Sequence, residues 1–123
     1  MKLYLLIAIF GAIGSVTRYF FFIITPKYFV SFFPLSTLIV NIFGSFLIGI
    51  VISLFDKNII NETLRATLAI GLLGGFTTFS TFSMDMFNLI NKSLYFYAFV
   101  YIIASVFLGL FFYILGLKIS SFF

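Results

Sequence analysis

The sequence predicts an all-α membrane protein with four transmembrane helices, and three observations carry that prediction. Of its 123 residues 63% are hydrophobic and 8% charged, against about a quarter charged in an average soluble domain. The few charges stand at intervals close to the thickness of a bilayer. Short turn-forming stretches separate the apolar runs. Seven Lys and Arg with three Asp and Glu are too few to coat a soluble globule of this length.

The intervals place the helices in order. Lys27 to Asp56 encloses 28 uncharged residues, Arg65 to Asp85 encloses 19 and Lys92 to Lys118 encloses 25. Leu3 to Ile24 is interrupted only by Arg18. A helical crossing needs about 20 apolar residues, which predicts helices near 3–24, 35–55, 63–90 and 94–117 in a single domain over 1–123. Thr25-Pro26, Phe33-Pro34 and Asp56 to Asn61 supply the breaks. Lys2 before an apolar run also suits a cleaved signal peptide, but the run continues through Arg18 into Phe20-Phe21-Phe22 without a clear processing site.

Composition also excludes chemistry. The chain has no Cys and no His, so it has no thiol nucleophile, no imidazole base and no zinc site of the usual ligands. The net charge of +4 comes from scattered residues, with no basic run suited to nucleic acid. An enzyme is not expected.

With four crossings, Lys2, Lys57, Arg65 and Lys118 share one side, and Lys27, Lys92 and Arg18 lie towards the other. That split shows almost no positive-inside bias. It suits a chain that inserts both ways round and pairs antiparallel with its own copy. A single orientation fixed by other features is the alternative reading of the same count.

Polar residues recur inside the apolar helices. Thr37, Asn41, Ser45, Gly49 and Ser53 stand every fourth residue in the second helix, one slowly drifting face. Ser45, Gly49 and Ser53 suit a packing seam, whereas Asn41 either locks a helix pair or lines a polar path. The first helix offers Gly11, Ser15 and Arg18, a close-packing face ending in a cation that snorkels or gathers anions at a pore mouth. The third holds Gly74-Gly75-Phe76 and then, from Thr77 to Ser83, five hydroxyls in seven residues. The adjacent glycines predict an interruption beside them at mid-membrane depth, tolerated only where the backbone is buried in protein, faces a cavity or binds an ion. Phe79 and Phe82 share one face and present ring edges that suit an anion path. Asp85 reads as a mouth or interface residue. Tyr101, Ser105 and Gly109 repeat the four-residue stripe in the fourth helix.

Three segments together resemble the Fluc-type (CrcB-like) fluoride channel family: Gly11-Ala12-Ile13-Gly14-Ser15-Val16-Thr17-Arg18-Tyr19, Ser36-Thr37-Leu38-Ile39-Val40-Asn41-Ile42-Phe43-Gly44 and the run from Gly74 to Ser83. The resemblance covers essentially the whole chain in length, span count and motif order. It implies an antiparallel, dual-topology homodimer in the cell membrane, with two narrow fluoride pores along the subunit interface. It also implies the pore residues: Asn41 as a pore-facing amide, Phe79 and Phe82 as the aromatic lining, and Ser80 and Thr81 as further contacts. Tyr101 and Ser105 would join from the fourth helix, and Arg18 would sit towards the vestibule. The carbonyls of Gly74 and Thr77 would hold a structural sodium ion at the dimer centre. The chain departs from the family in one visible place: Asp85 stands where members more often carry Glu, so the contacts near that mouth do not carry over.

Two rival readings fit four short helices. A small dual-topology multidrug exporter would need a buried carboxylate in the first helix, which has none, and usually Trp, which the chain lacks. A passive membrane assembly subunit would use the polar stripes only as seams and would transport nothing. An intramembrane hydrolase would need a base that the composition withholds.

Overall fold

The computed structural model describes residues 1–29 and 32–123. The elements are α1 (Lys2–Tyr28), α2 (Leu35–Asp56), α3 (Glu62–Ala66), a wide-turned stretch Thr67–Leu73, α4 (Gly74–Phe76), α5 (Phe79–Asn91), α6 (Tyr95–Ile119) and a closing 3-10 turn Ser120–Phe122. Four stretches are long and apolar enough to cross a membrane: Lys2–Tyr28, Leu35–Asp56, Glu62–Asn91 and Tyr95–Phe122.

The helix ends have local causes. Pro26, read from sequence as a break, lies inside the last turn of α1. A proline there forfeits one helical hydrogen bond near an end that frays anyway, and Phe29 N–H still reaches the Thr25 carbonyl at 2.9 Å. α2 stops at Asn58, whose φ of 58° is left-handed. Its N–H bonds Phe55 O at 2.9 Å while Ile59 N–H bonds Leu54 O at 3.0 Å, the double bond of a Schellman end. α5 ends the same way at Ser93, φ 59°, with Ser93 N–H on Ile90 O and Leu94 N–H on Leu89 O, both 2.9 Å. The Asn61 side chain opens α3 by accepting from Leu64 N–H at 2.9 Å.

Glycine governs how the helices meet. A Cβ on Gly14 would fall inside contact distance of the Leu72 carbonyl, and one on Gly75 inside that of the Gly11 carbonyl. α1 and the third span therefore touch backbone to backbone. α2 and α6 do the same through Gly49 against the Tyr113 carbonyl and Gly116 against the Phe46 carbonyl. Such approach gives lipid-embedded helices their dispersion contact, because apolar burial adds little in hydrocarbon. α2 and α6 run in the same direction, and their carboxyl ends are clasped together. Lys57 Nζ donates to the Ser120 carbonyl and Ser120 Oγ donates to Ser53 Oγ.

The third span is the least regular. Gly74 N–H reaches back to Ala69 O, five residues away, so the stretch before it is wound wider than an α-helix. Both glycines of the pair are helical. Helical dihedrals are lost just beyond them, at Thr77 (φ −79°, ψ 158°) and Thr78 (φ −152°, ψ 122°). Gly75 serves the close approach to α1.

Candidate functional site: a polar joint between α2 and the third span

Two extended residues inside an apolar span need partners for their backbone, and Asn41 supplies them. Thr78 N–H donates to Asn41 Oδ1 at 2.8 Å, and Asn41 Nδ2 donates to the Thr78 carbonyl at 2.9 Å. The side-chain amide thus pairs with one residue as a neighbouring strand would. The pairing makes Asn41 a lock between α2 and the third span, and it leaves part of the amide free for the reading as a lining group. The second Nδ2 hydrogen has no partner among the described residues, and Asn41 lines a cleft of about 240 Å³ with Ser45, Thr77, Thr78 and Phe79.

The joint is held from α1 as well. Arg18 Nη1 donates to the Thr77 carbonyl at 3.2 Å, so the guanidinium sits on the extended residues themselves. Thr78 caps α5: its Oγ1 accepts from Thr81 N–H at 3.2 Å, donates to Thr81 Oγ1 at 3.1 Å and lies 3.3 Å from Ser80 Oγ. The hydroxyls of Ser80 and Thr81 therefore share one small cap network. The amino end of α5 opens at this point, and a helix amino end carries partial positive charge. Because Thr78 N–H is turned to Asn41, the Gly74 carbonyl loses the donor a continuous helix would give it.

A second polar group lies along α5. Asp85 Oδ2 accepts from Thr37 Oγ1 at 2.6 Å and from Tyr101 Oη at 3.1 Å, linking α2, α5 and α6. Tyr101 is fully buried. Rings run outward from it: Phe33 at 5.6 Å edge-on, Phe82 at 5.1 Å, then Phe79 at 5.6 Å from Phe82. Phe82 packs on the core, whereas Phe79 is 79% exposed. Ser105, one turn along α6 from Tyr101, has a buried Oγ with no partner among the described residues.

The sequence-derived residues thus fall into two sets: Asn41, Arg18, Ser80 and Thr81 around Thr77–Thr78, and Tyr101 with Phe82 at Asp85. In the sequence Thr37 reads only as part of a stripe and Asp85 as a mouth or interface residue. Their pairing needs three helices brought together, which the i, i+4 spacing of α2 does not reveal.

Four stretches long and apolar enough to cross a membrane, with a polar joint set among them, define a small multi-pass membrane protein. Residues 5–117 match the family model described as CrcB-like protein, Camphor Resistance (CrcB). The chain belongs to that family. It is 45% identical over 121 residues, 98% of this chain and all of the relative, to the fluoride-specific ion channel FluC of Phocaeicola vulgatus. It is 42% identical over 110 residues, 89% of this chain and 88% of the relative, to the protein of that name in Ignicoccus hospitalis. To that of Thermus thermophilus it is 41% identical over 121 residues, 98% and 97% of the two chains.

Proposed function

We propose that this chain forms a fluoride-selective channel of the cell membrane, passing fluoride passively and lowering its cytoplasmic level so that the cell is protected. End-to-end likeness to proteins named fluoride-specific channels carries the reading. The site chemistry supports it. Fluoride is small and hard and surrenders water only to a succession of hydrogen-bond donors. Asn41, Ser80, Thr81 and Ser105 offer such donors, and the edges of Phe79 and Phe82 offer positive potential between them. Conduction requires that no site bind too tightly. The Thr37 and Tyr101 hydroxyls are turned to Asp85, so an anion at that level competes with a carboxylate for them and is held weakly.

The functional unit we propose is an antiparallel, dual-topology homodimer, with the third helix broken at membrane depth. Gly74, Phe79 and Ser80 are exposed on the single chain. A carbonyl without its helical donor is costly against lipid; a second copy laid over this surface removes that cost. A structural sodium ion at the dimer centre would use the Gly74 and Thr77 carbonyls. The oxygen chemistry fits, and Gly74 O has lost its helical donor. The Thr77 carbonyl already accepts from Arg18, so only its second lone pair is available, beside a guanidinium that opposes a cation. Two carbonyls from one chain fall short of the about six oxygens that hard cations gather, and the partner copy would have to complete the set. Bound there, the ion would supply positive charge that holds two interrupted helices together.

Fluoride efflux from liposomes carrying the purified protein, measured beside chloride, tests the reading. Fluoride flux well above chloride flux is expected, and equal flux of the two ions, or none, would sink it. Phe79→Ile and Phe82→Ile should each lower fluoride flux by at least about tenfold, a barrier change of about 1.4 kcal/mol, while both variants still migrate as dimers. Normal conduction by both would make the rings lipid-facing filler. For topology, Ile59→Cys in this Cys-free chain should react with an impermeant maleimide from both sides of the membrane. Labelling from one side alone would contradict dual insertion.

A further inference from the structure

At the end where α1 leaves the membrane and α2 enters it, a pocket of about 220 Å³ is lined by Phe32, Pro34, Asp85, Asn88 and Lys92, among others. Asp85 is the same carboxylate that holds Thr37 and Tyr101 from the other side. The pocket therefore borders the polar group at Asp85. Lys92 is exposed, and its ammonium has neither an ion pair nor a hydrogen bond among the described residues. The Asn88 amide, one turn back on the same face of α5, likewise has no partner among them. An unpaired ammonium and an unpaired amide thus share a small pocket whose inner wall is an anion.

We infer that this pocket is an anion antechamber: Lys92 and Asn88 gather the small permeant anion at the mouth, and Asp85 keeps it from settling there. The inference rests on the channel reading and adds to it a site for the anion before it sheds its water. A fixed cation at a mouth walled by protein raises the local anion concentration, and the effect fades as the Debye length shrinks with salt. Asp85 beside it limits residence, which a conducting path requires. The Lys92 side chain is exposed and holds no other described residue by hydrogen bond or ion pair, so its replacement is expected to leave the helices as they are.

The test is the unitary fluoride efflux rate of wild type, Lys92→Gln and Lys92→Arg in zwitterionic-lipid vesicles, with an impermeant salt setting ionic strength. At about 10 mM, Lys92→Gln should run roughly two- to fivefold slower than wild type, and the difference should vanish by about 500 mM. Lys92→Arg should match wild type throughout. A Lys92→Gln rate equal to wild type at low salt overturns the antechamber, and so does a deficit that persists unchanged at high salt, which would mark a structural or lipid-headgroup role. Wild type that conducts no fluoride at all is a different failure, that of the channel reading itself.

Discussion

Asn41→Leu is expected to abolish fluoride flux and to destabilise the protein by about 2–6 kcal/mol. Leucine keeps the branched skeleton of asparagine but leaves both Thr78 N–H and Thr78 C=O without partners. Each unsatisfied buried backbone group costs about 1–3 kcal/mol, and no water inside a bilayer offsets the loss. Asn41→Asp discriminates the two halves of the interaction. Its carboxylate still accepts from Thr78 N–H but presents a second acceptor to the Thr78 carbonyl, so it should recover part of the stability at most. Thermal melting in detergent and efflux in liposomes read the two effects separately. If Asn41→Leu melted and conducted as wild type does, the pairing with Thr78 would be incidental.

The second large effect concerns a residue with no side chain. Gly14→Val should prevent recovery of a folded, monodisperse protein, with a cost of at least about 3 kcal/mol. A Cβ at Gly14 falls inside contact distance of the Leu72 carbonyl and 2.9 Å from Phe76 N. Both are backbone, so no flexible side chain can yield. Gly109 supplies the control: the nearest atom to a Cβ there is Ser45 Oγ at 3.8 Å, an ordinary contact, and Gly109→Ala should purify and melt as wild type does. Size-exclusion profiles of the two variants decide the matter. Equal behaviour would mean that α1 slides on the third span without cost.

The spans were legible in the sequence because charge is scarce and its spacing is long. What was not legible depended on context that spacing does not carry. Pro26 looks like a terminator, yet in a last turn it removes one bond only. Gly74-Gly75 looks like an interruption because glycine weakens helices. Both are helical, Gly75 lies against the Gly11 carbonyl, and the backbone departs from helix just beyond them at two threonines whose propensity alone would not choose them. The stripe in the second helix does not reveal that Asn41 pairs with Thr78. The face shared by Thr78, Thr81 and Asp85 could be read from periodicity. The hydroxyls that reach Asp85 from α2 and α6 could not, since helix pairing across the bundle leaves no local mark. Phe79 and Phe82 formed one pair in the sequence, whereas the fold exposes the first and packs the second against Tyr101.

The glycine contacts also set where the molecule is stiff. α1 with the third span is one pair seated backbone on backbone, and α2 with α6 is another. Between the pairs fewer backbone approaches are made: the Asn41–Thr78 double bond, Gly44 against the Thr77 side chain, the rings of Phe43 and Phe76 at 6.2 Å, and Asp85 held by Thr37 and Tyr101. Bilayer tension or thickness mismatch is therefore expected to strain this seam before either pair. The polar joint lies on that line, aligned by one amide and by the hydroxyls on Asp85.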